Sequence, residues 1–447
     1  MKRRPISEKI ALTLLILLPG TALACMPPPP ASAVRLEVQP SQSVVPTQTK
    51  HSLYLKVSLK GEDHSQAPRS PVHVAIVLDK SSSMQGAKIQ QAKEAAILAI
   101  NSLGADDIVS VITYDSQVNL IYPAAKPADK QKIINAIRQI EASGATALFG
   151  GVSKGAEELR KHLSRNYVNR VILLSDGQAN IGPQSPQELG SLGNSLSKEG
   201  ISVTTIGLGL GYNEDLMAQL ARRSGGNNVF VESETALLRA FQNEFKDVFS
   251  VAARDATVVI DTKPGVRPVR VLGREAQING QRVEVKLDQV YARQEKFLIL
   301  ELEVASDFDL TQQELAKVTM NYYDLQTKKF RTKTQMVKLS RSADTAKSQG
   351  SVNNAVMASA LELIALENSD QAIKLRDAGR SADAKKLLEE SAHRSARAAE
   401  QYKSPALQSL SSDLSANAKK LDGAEWNKTR KSMANDKFIR ETQQSYK

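Results

Sequence analysis

The stretch His73-Val74-Ala75-Ile76-Val77-Leu78-Asp79-Lys80-Ser81-Ser82-Ser83-Met84 decides the fold. Residues 73–78 form a nearly continuous apolar run, as expected of a strand covered on both faces of a sheet. The run stops at Asp79, followed by Lys80 and three serines. Behind it Ile89, Ala92, Ala96, Ala99 and Leu103 recur at helical spacing. Short apolar strands and helical stretches then alternate. Strands are expected at 107–114, 168–174, 201–207 and 228–231, with 118–122 as a hairpin partner at one edge. Helices are expected at 129–140, 148–163, 186–199, 214–224 and 234–251. This is the pattern of βαβ units on a parallel sheet, so residues 71–250 should form a doubly wound, Rossmann-like α/β domain.

Outward from that domain the period changes to two. Val34/Leu36/Val38 and Leu53/Leu55/Val57/Leu59 alternate before it, and Val283/Val285/Leu287 and Leu298/Leu300/Leu302/Val304 after it. Asn279-Gly280 between alternating runs predicts a type I′ hairpin turn. Residues 251–340 therefore read as an all-β, sandwich-like domain. In a doubly wound domain the first strand begins, and the last helix ends, at the edge opposite the serines. Pro71 and Ser250 should thus lie close together, letting strands in 34–70 join the β domain. After a polar linker at 341–350, residues 351–425 are Ala-rich and helical. Ala355, Ala358, Leu361 and Ala365 mark one face of a helical hairpin, and 407–421 is a candidate third helix. The tail, 426–447, is basic and is expected to be loosely ordered.

The N-terminus has the organisation of an export signal. Lys2-Arg3-Arg4 precede an apolar run over 10–18, and Ala22-Leu23-Ala24 completes residues 1–24 as a cleavable signal peptide. Cys25 is the only cysteine among 447 residues, so no intramolecular disulfide is available. Thr21-Ala22-Leu23-Ala24-Cys25 is similar to a loose bacterial lipobox, which implies a lipid-bearing Cys25. Ordinary cleavage before Cys25 is the alternative. Pro27–30 would stiffen a spacer over 25–33. The expected location is the periplasm or cell surface, with membrane association through Cys25 and no transmembrane helix in the mature chain. The net charge of +11 is scattered, with no dense Lys/Arg run interleaved with aromatics, which argues against nucleic-acid binding.

Chemistry gathers at one sheet edge. Ligands of open α/β sheets bind at the carboxyl ends of the strands, near the switch in strand order. Asp79, Ser81 and Ser83 stand there on one turn, although a serine at that place can also simply cap a helix. Ser143-Gly144-Ala145-Thr146 presents Thr146 ahead of a helix, and Leu174-Ser175-Asp176-Gly177-Gln178-Ala179-Asn180 ends a buried strand with Asp176. Asp79, Ser81, Ser83, Thr146 and Asp176 are all hard oxygen donors, without His or Cys. They suit a small hard cation, Mg²⁺ or Mn²⁺.

These three segments resemble the motif loops of the von Willebrand factor A-domain family, with the order and spacing of a metal-ion-dependent adhesion site. The resemblance implies direct ligation by Ser81, Ser83 and Thr146, partly water-mediated roles for Asp79 and Asp176, and a partner Glu or Asp completing the coordination. The five histidines (51, 64, 73, 162 and 393) avoid the metal edge, and no serine there has a base, so no enzyme is expected. His73 is expected to be a hydrogen-bonded structural residue. The expected function is a metal-dependent protein-interaction or adhesion module of the cell envelope. The alternative is an assembly or chaperone-like subunit of an envelope complex.

Overall fold

The computed structural model describes residues 32–444, apart from 48–49, 64–67 and 307–313. Residues 1–31, with the expected signal peptide and Cys25, lie outside the described residues. The chain opens with β1 (Val34–Pro40), β2 (Val44–Pro46) and β3 (His51–Gly61). The α/β domain follows: β4 (Val72–Asp79), a single 3-10 turn at Ser82–Met84, α1 (Ala87–Ser102), β5 (Ile108–Tyr114), β6 (Val118–Ala125), α2 (Lys130–Arg138) and α3 (Leu148–Arg160). It continues through β7 (Val168–Ser175), α4 (Pro186–Glu199), β8 (Ile201–Leu208), α5 (Glu214–Ser224), β9 (Asn228–Val231) and α6 (Glu234–Phe249). Its sheet has the order β6-β5-β4-β7-β8-β9, parallel except for the edge strand β6. Every residue of β4, β5, β7 and β8 is buried, because helices cover both faces.

A β-sandwich carries this domain. Its later strands are β10 (Val251–Thr262), β11 (Val266–Leu272), β12 (Gln277–Asn279), β13 (Arg282–Tyr291), β14 (Glu295–Val304), β15 (Glu314–Asp324) and β16 (Lys329–Lys338). One sheet runs β1-β3-β14-β11, the other β12-β13-β10-β15-β16. Strand β3 pairs with β14 over Leu53↔Leu302 to Leu59↔Lys296, so chain from before and after the α/β domain shares one sheet. Leu53, Leu55, Val57, Leu300 and Leu302 meet Val258, Ile260, Val283 and Val318 of the facing sheet in a common core. The two chain crossings meet at one turn: the carbonyl of Gly61 accepts from Arg293 at 2.9 Å and that of Ser250 from Ala292 at 2.7 Å. A Cβ on Gly61 would stand 1.9 Å from the Tyr291 carbonyl oxygen, so only glycine permits this approach.

Arg170 of β7 joins the two bodies. Fully buried, it donates to Glu244 of α6 (2.6 Å), to Ser202 (3.1 Å) and Thr204 (3.2 Å) of β8, and to Gln289 and Tyr291 of β13 (3.0 Å to the Tyr291 hydroxyl).

A short parallel pair of β17 (Ser340–Ser342) with β2, and α7 (Thr345–Gly350), lead to the helices α8 (Asn354–Asp377), α9 (Ser381–Tyr402), α10 (Pro405–Lys420) and α11 (Trp426–Thr442). Leu363 and Leu366 of α8 pack with Leu272 and Ile299, on the outer face of the β1-β3-β14-β11 sheet. Ala358 and Leu361 turn instead toward Ala398, Ala399 and Leu407. α8 thus buries two faces, where a single stripe was expected.

Three further expectations are corrected. Residues 426–442 form α11, which lies against β9 and α5, whereas the tail was expected to be loosely ordered. Its docking rests on ion pairs more than on an apolar stripe: Lys431 pairs with Glu214, and Arg430 with Glu214, Asp215 and Asp377. The hairpin turn slips by one residue. Asn279 pairs with Arg282, so Gly280-Gln281 form the loop, and Gly280 alone has positive φ (+59°), as in a type II′ turn. His73 is buried, yet neither ring nitrogen has a hydrogen-bond partner. Its ring lies 6.0 Å from that of His162 and 6.5 Å from that of Tyr167.

Candidate metal centre

The site occupies the carboxyl edge between β4 and β7, where the strand order switches from leftward to rightward. Asp79, the last residue of β4, is buried beneath the loops. One carboxylate oxygen accepts the Ser81 N–H at 2.8 Å and the other the Ser175 hydroxyl at 2.7 Å. Burial pushes this carboxyl up to about 6; the bonds from Ser81 and Ser175 oppose the rise, and the Asp176 carboxylate adds to it. The turn after Asp79 brings Ser81 Oγ and Ser83 Oγ within 3.0 Å of each other, and Ser83 Oγ donates to Asp176 at 2.6 Å.

Thr146 enters from a loop clamped on both sides. Ser143 N–H donates to the Lys80 carbonyl (2.7 Å) and Ser82 N–H to the Gly144 carbonyl (3.0 Å). Thr146 N–H donates to the Asn180 side chain (2.8 Å), while Asn180 N–H returns a bond to the Thr146 carbonyl (3.1 Å). Gly177 reports the convergence. A Cβ built there would stand 3.2 Å from Thr146 Oγ1, 3.4 Å from Ser83 Oγ and 3.9 Å from Ser81 Oγ. Three hydroxyls from two loops thus border one small space with two carboxylates beside it. Among the described residues no cluster of three or more His, Cys, Asp or Glu forms. Here hydroxyls stand beside the two carboxylates, and this donor set fits a hard divalent cation.

The structure brings together all five residues singled out from the sequence. It adds others that were not. Lys88, on the first turn of α1, pairs with Asp176 and reaches the Ser83 carbonyl at 3.3 Å. Asp115, just beyond β5, pairs with Lys80 and accepts from Ser143 (3.0 Å), bracing the threonine loop. Lys88 follows Ser83 by five residues, and Asp115 stands at the end of a strand that stops at the same edge. Those positions were the only signal available. Two apolar side chains, Ile181 and Leu210, are exposed beside the site. Ile181 N–H reaches the Thr146 carbonyl, and the neighbouring Gly211 lies against the Asp176 backbone.

A family model of the von Willebrand factor type A domain matches residues 73–244. Those residues are a von Willebrand factor type A domain. Relatives of this chain occur in bacteria: a Synechocystis protein, sll0103, is 28% identical over 264 residues, and YfbK of Escherichia coli is 24% identical over 246. The matches cover 57% and 54% of this chain, and 62% and 42% of those proteins. Human inter-alpha-trypsin inhibitor heavy chain H4 is 27% identical over 185 residues, 39% of this chain and 20% of that one. Among solved structures, the ArnB paralog VWA2 of Sulfolobus acidocaldarius superposes with a TM-score of 0.61 at 20% identity, over 91% of this chain and 98% of that one. A von Willebrand factor type A protein of Catenulispora acidiphila gives 0.64 at 15% identity, over 81% and 88%. Likeness at such identity concerns the fold alone. It extends beyond the A domain into the sandwich and the helices.

Proposed function

We propose that this protein is a metal-dependent protein-interaction module of the cell envelope. Asp79, Ser81, Ser83, Thr146 and Asp176 would hold Mg²⁺ or Mn²⁺, and a partner's Asp or Glu would be the incoming ligand. The observation that carries the reading is the convergence of three hydroxyls around Gly177 beside two carboxylates. A cation there would supply an electrophilic centre for a carboxylate, since only two of the five protein groups are anionic. The chain's own residues do the rest. Asp79 orients Ser81 through its backbone N–H, Asn180 fixes Thr146, and Lys88 balances Asp176. Exposed Ile181 and Leu210 offer apolar contact to a protein surface that brings its carboxylate to the edge.

Von Willebrand factor type A domains commonly mediate protein–protein interactions, which supports a binding role over a catalytic one. The signal-like residues 1–24 support export, and Cys25 supports a lipid anchor. Among the described residues no helix is long and apolar enough to cross a membrane.

The test is a crosslinking pull-down from solubilised envelopes with the wild type, Asp79→Ala and Thr146→Ala. Capture should require Mg²⁺ or Mn²⁺ and be lost in EDTA and in both variants. Undiminished capture in EDTA, together with no calorimetric uptake of either metal, would overturn the reading.

A further inference from the structure

A cavity of about 400 Å³ lies on the seam between the A domain and the sandwich, remote in sequence from the metal loops. The ends of α4 and α5 form one wall, and β13, β14 and the loop after β11 form the other. Its size falls in the range of small-molecule sites. Its lining is strongly cationic.

Lys296 is the telling residue. It sits on β14 with only 6% of its surface exposed, and its ammonium makes no hydrogen bond or ion pair among the described residues. It stands over the face of Tyr291, 5.0 Å from the ring centre. A buried charge without a hydrogen bond is costly, and burial, with Arg274 beside it, pulls this ammonium down to about 7, although the Asp247 and Asp288 carboxylates pull the other way. Arg274 lines the same cavity. It donates to the Phe297 carbonyl (3.3 Å) and the Gln443 side chain (2.9 Å) but forms no ion pair among the described residues. Lys198 and Lys286 also border the space without an ion pair among the described residues. Asp288 brings a carboxylate to the seam. It is held in the left-handed region (φ 57°), accepts from the Ser197 hydroxyl at 3.3 Å and lies against Gly225. Arg222 and Arg223 line it too, paired with Glu441 and Glu275, and Glu284 borders it; six cations against the carboxylates of Glu275, Glu284 and Asp288 still leave an excess of positive charge in a recessed space.

We propose that this cavity binds the phosphate group of a small phosphorylated molecule, with Lys296 and Arg274 as the groups that contact it. A tetrahedral dianion has enough acceptor oxygens to serve several donors at once, and a guanidinium presents a fork that matches two of them. A single carboxylate would leave part of that donor set unserved. The bound oxyanion would give Lys296 a hydrogen bond that it does not make among the described residues. The same chemistry can come from a free phosphate ester or from a lipid headgroup.

The experiment uses the full chain in EDTA, so the metal site plays no part. Inorganic phosphate and glycerol 3-phosphate are titrated by calorimetry at low salt, and vesicles of phosphatidylcholine with and without phosphatidic acid are tested by co-sedimentation. The wild type should bind one phosphate group per chain. Lys296→Met and Arg274→Gln should each weaken binding about tenfold or more, the worth of one lost charge-assisted hydrogen bond. Lys317→Gln, at an exposed lysine outside the cavity, should leave it unchanged. Thermal unfolding completes the test: phosphate should raise the wild-type midpoint and raise those of both variants by less. Should Lys296→Met fail to fold, Arg274→Gln still decides. Binding of phosphatidic acid vesicles alone assigns the headgroup as the source. The proposal fails if no phosphate compound binds at millimolar concentration, or if both cavity variants bind within twofold of the wild type.

Discussion

Replacing Arg170 by Met tests how firmly the A domain is joined to its sandwich. Arg170 is fully buried, and its five side-chain partners come from β8, α6 and β13. The methionine keeps the stem's volume and removes the charge. Glu244 would then remain buried, with hydrogen bonds from Thr204 (2.5 Å) and Asn227 (2.9 Å). Removing one member of a buried ion pair costs about 3–5 kcal/mol. Replacing both members with apolar groups is far cheaper, but Gln289 and Ser202 would still lose a donor, at about 1–3 kcal/mol. Arg170→Met should therefore destabilise the protein more than Arg170→Met/Glu244→Met does. Equilibrium urea unfolding, followed by circular dichroism and by hydrogen exchange in β7 and β13, measures both. A loss under about 1 kcal/mol for Arg170→Met, or a double variant as unstable as the sum of the singles, would refute the reasoning.

Acid should weaken the fold through His73. Burial holds this imidazole neutral down to about 4, against 6.5 in the unfolded chain, so between these values the unfolded state binds the extra proton. Stability present above pH 6.5 should fall by about 3 kcal/mol as pH drops through that window, and His73→Phe should flatten the slope. Identical urea midpoints for the two proteins at pH 7 and at pH 4.5 would refute this. Gly177→Ala should weaken Mn²⁺ binding about tenfold or more, because its methyl enters the space bordered by three hydroxyls. Paramagnetic titration showing wild-type affinity would place the cation elsewhere. Lys431→Ala removes a buried partner of Glu214 and a donor to the Tyr212 carbonyl (2.7 Å). Hydrogen exchange should then accelerate across 426–442, and unchanged protection would show that the helix is held by other contacts.

The α/β fold was legible because its strands are buried on both sides and so read as uninterrupted apolar runs. Asp79, Thr146 and Asp176 stood out because each is a polar residue beside a strand or helix end at the same edge. Lys88 and Asp115 did not. Their roles depend on which loops meet in space, and nothing in their local sequence distinguishes them from surface charges. The last helix was hidden for a related reason. Its buried positions include Thr429, Lys431 and Glu441 beside Met433, Phe438 and Ile439, so no clean apolar period marks it. His73 misled in the opposite way. A polar residue opening a buried strand suggests a hydrogen bond, yet β4 is flanked on both sides by ladder partners and faces aromatic rings.

The meeting of both chain crossings at the turn after Tyr291 bears on mechanics. The edge that carries Asp79 and Asp176 and this turn lie at opposite ends of the A-domain sheet, so a pull on that edge would run along the parallel strands. At the base the load would divide between two covalent routes, one through Gly61 and one through Ser250, and both reach the same turn. Strand β3 is hydrogen-bonded on both flanks, to β1 and β14, and β10 to β13 and β15. Neither route can yield by peeling a strand from a sheet edge. Each ends in a strand held by ladders on both flanks, which makes the sandwich a stiff mount for the A domain.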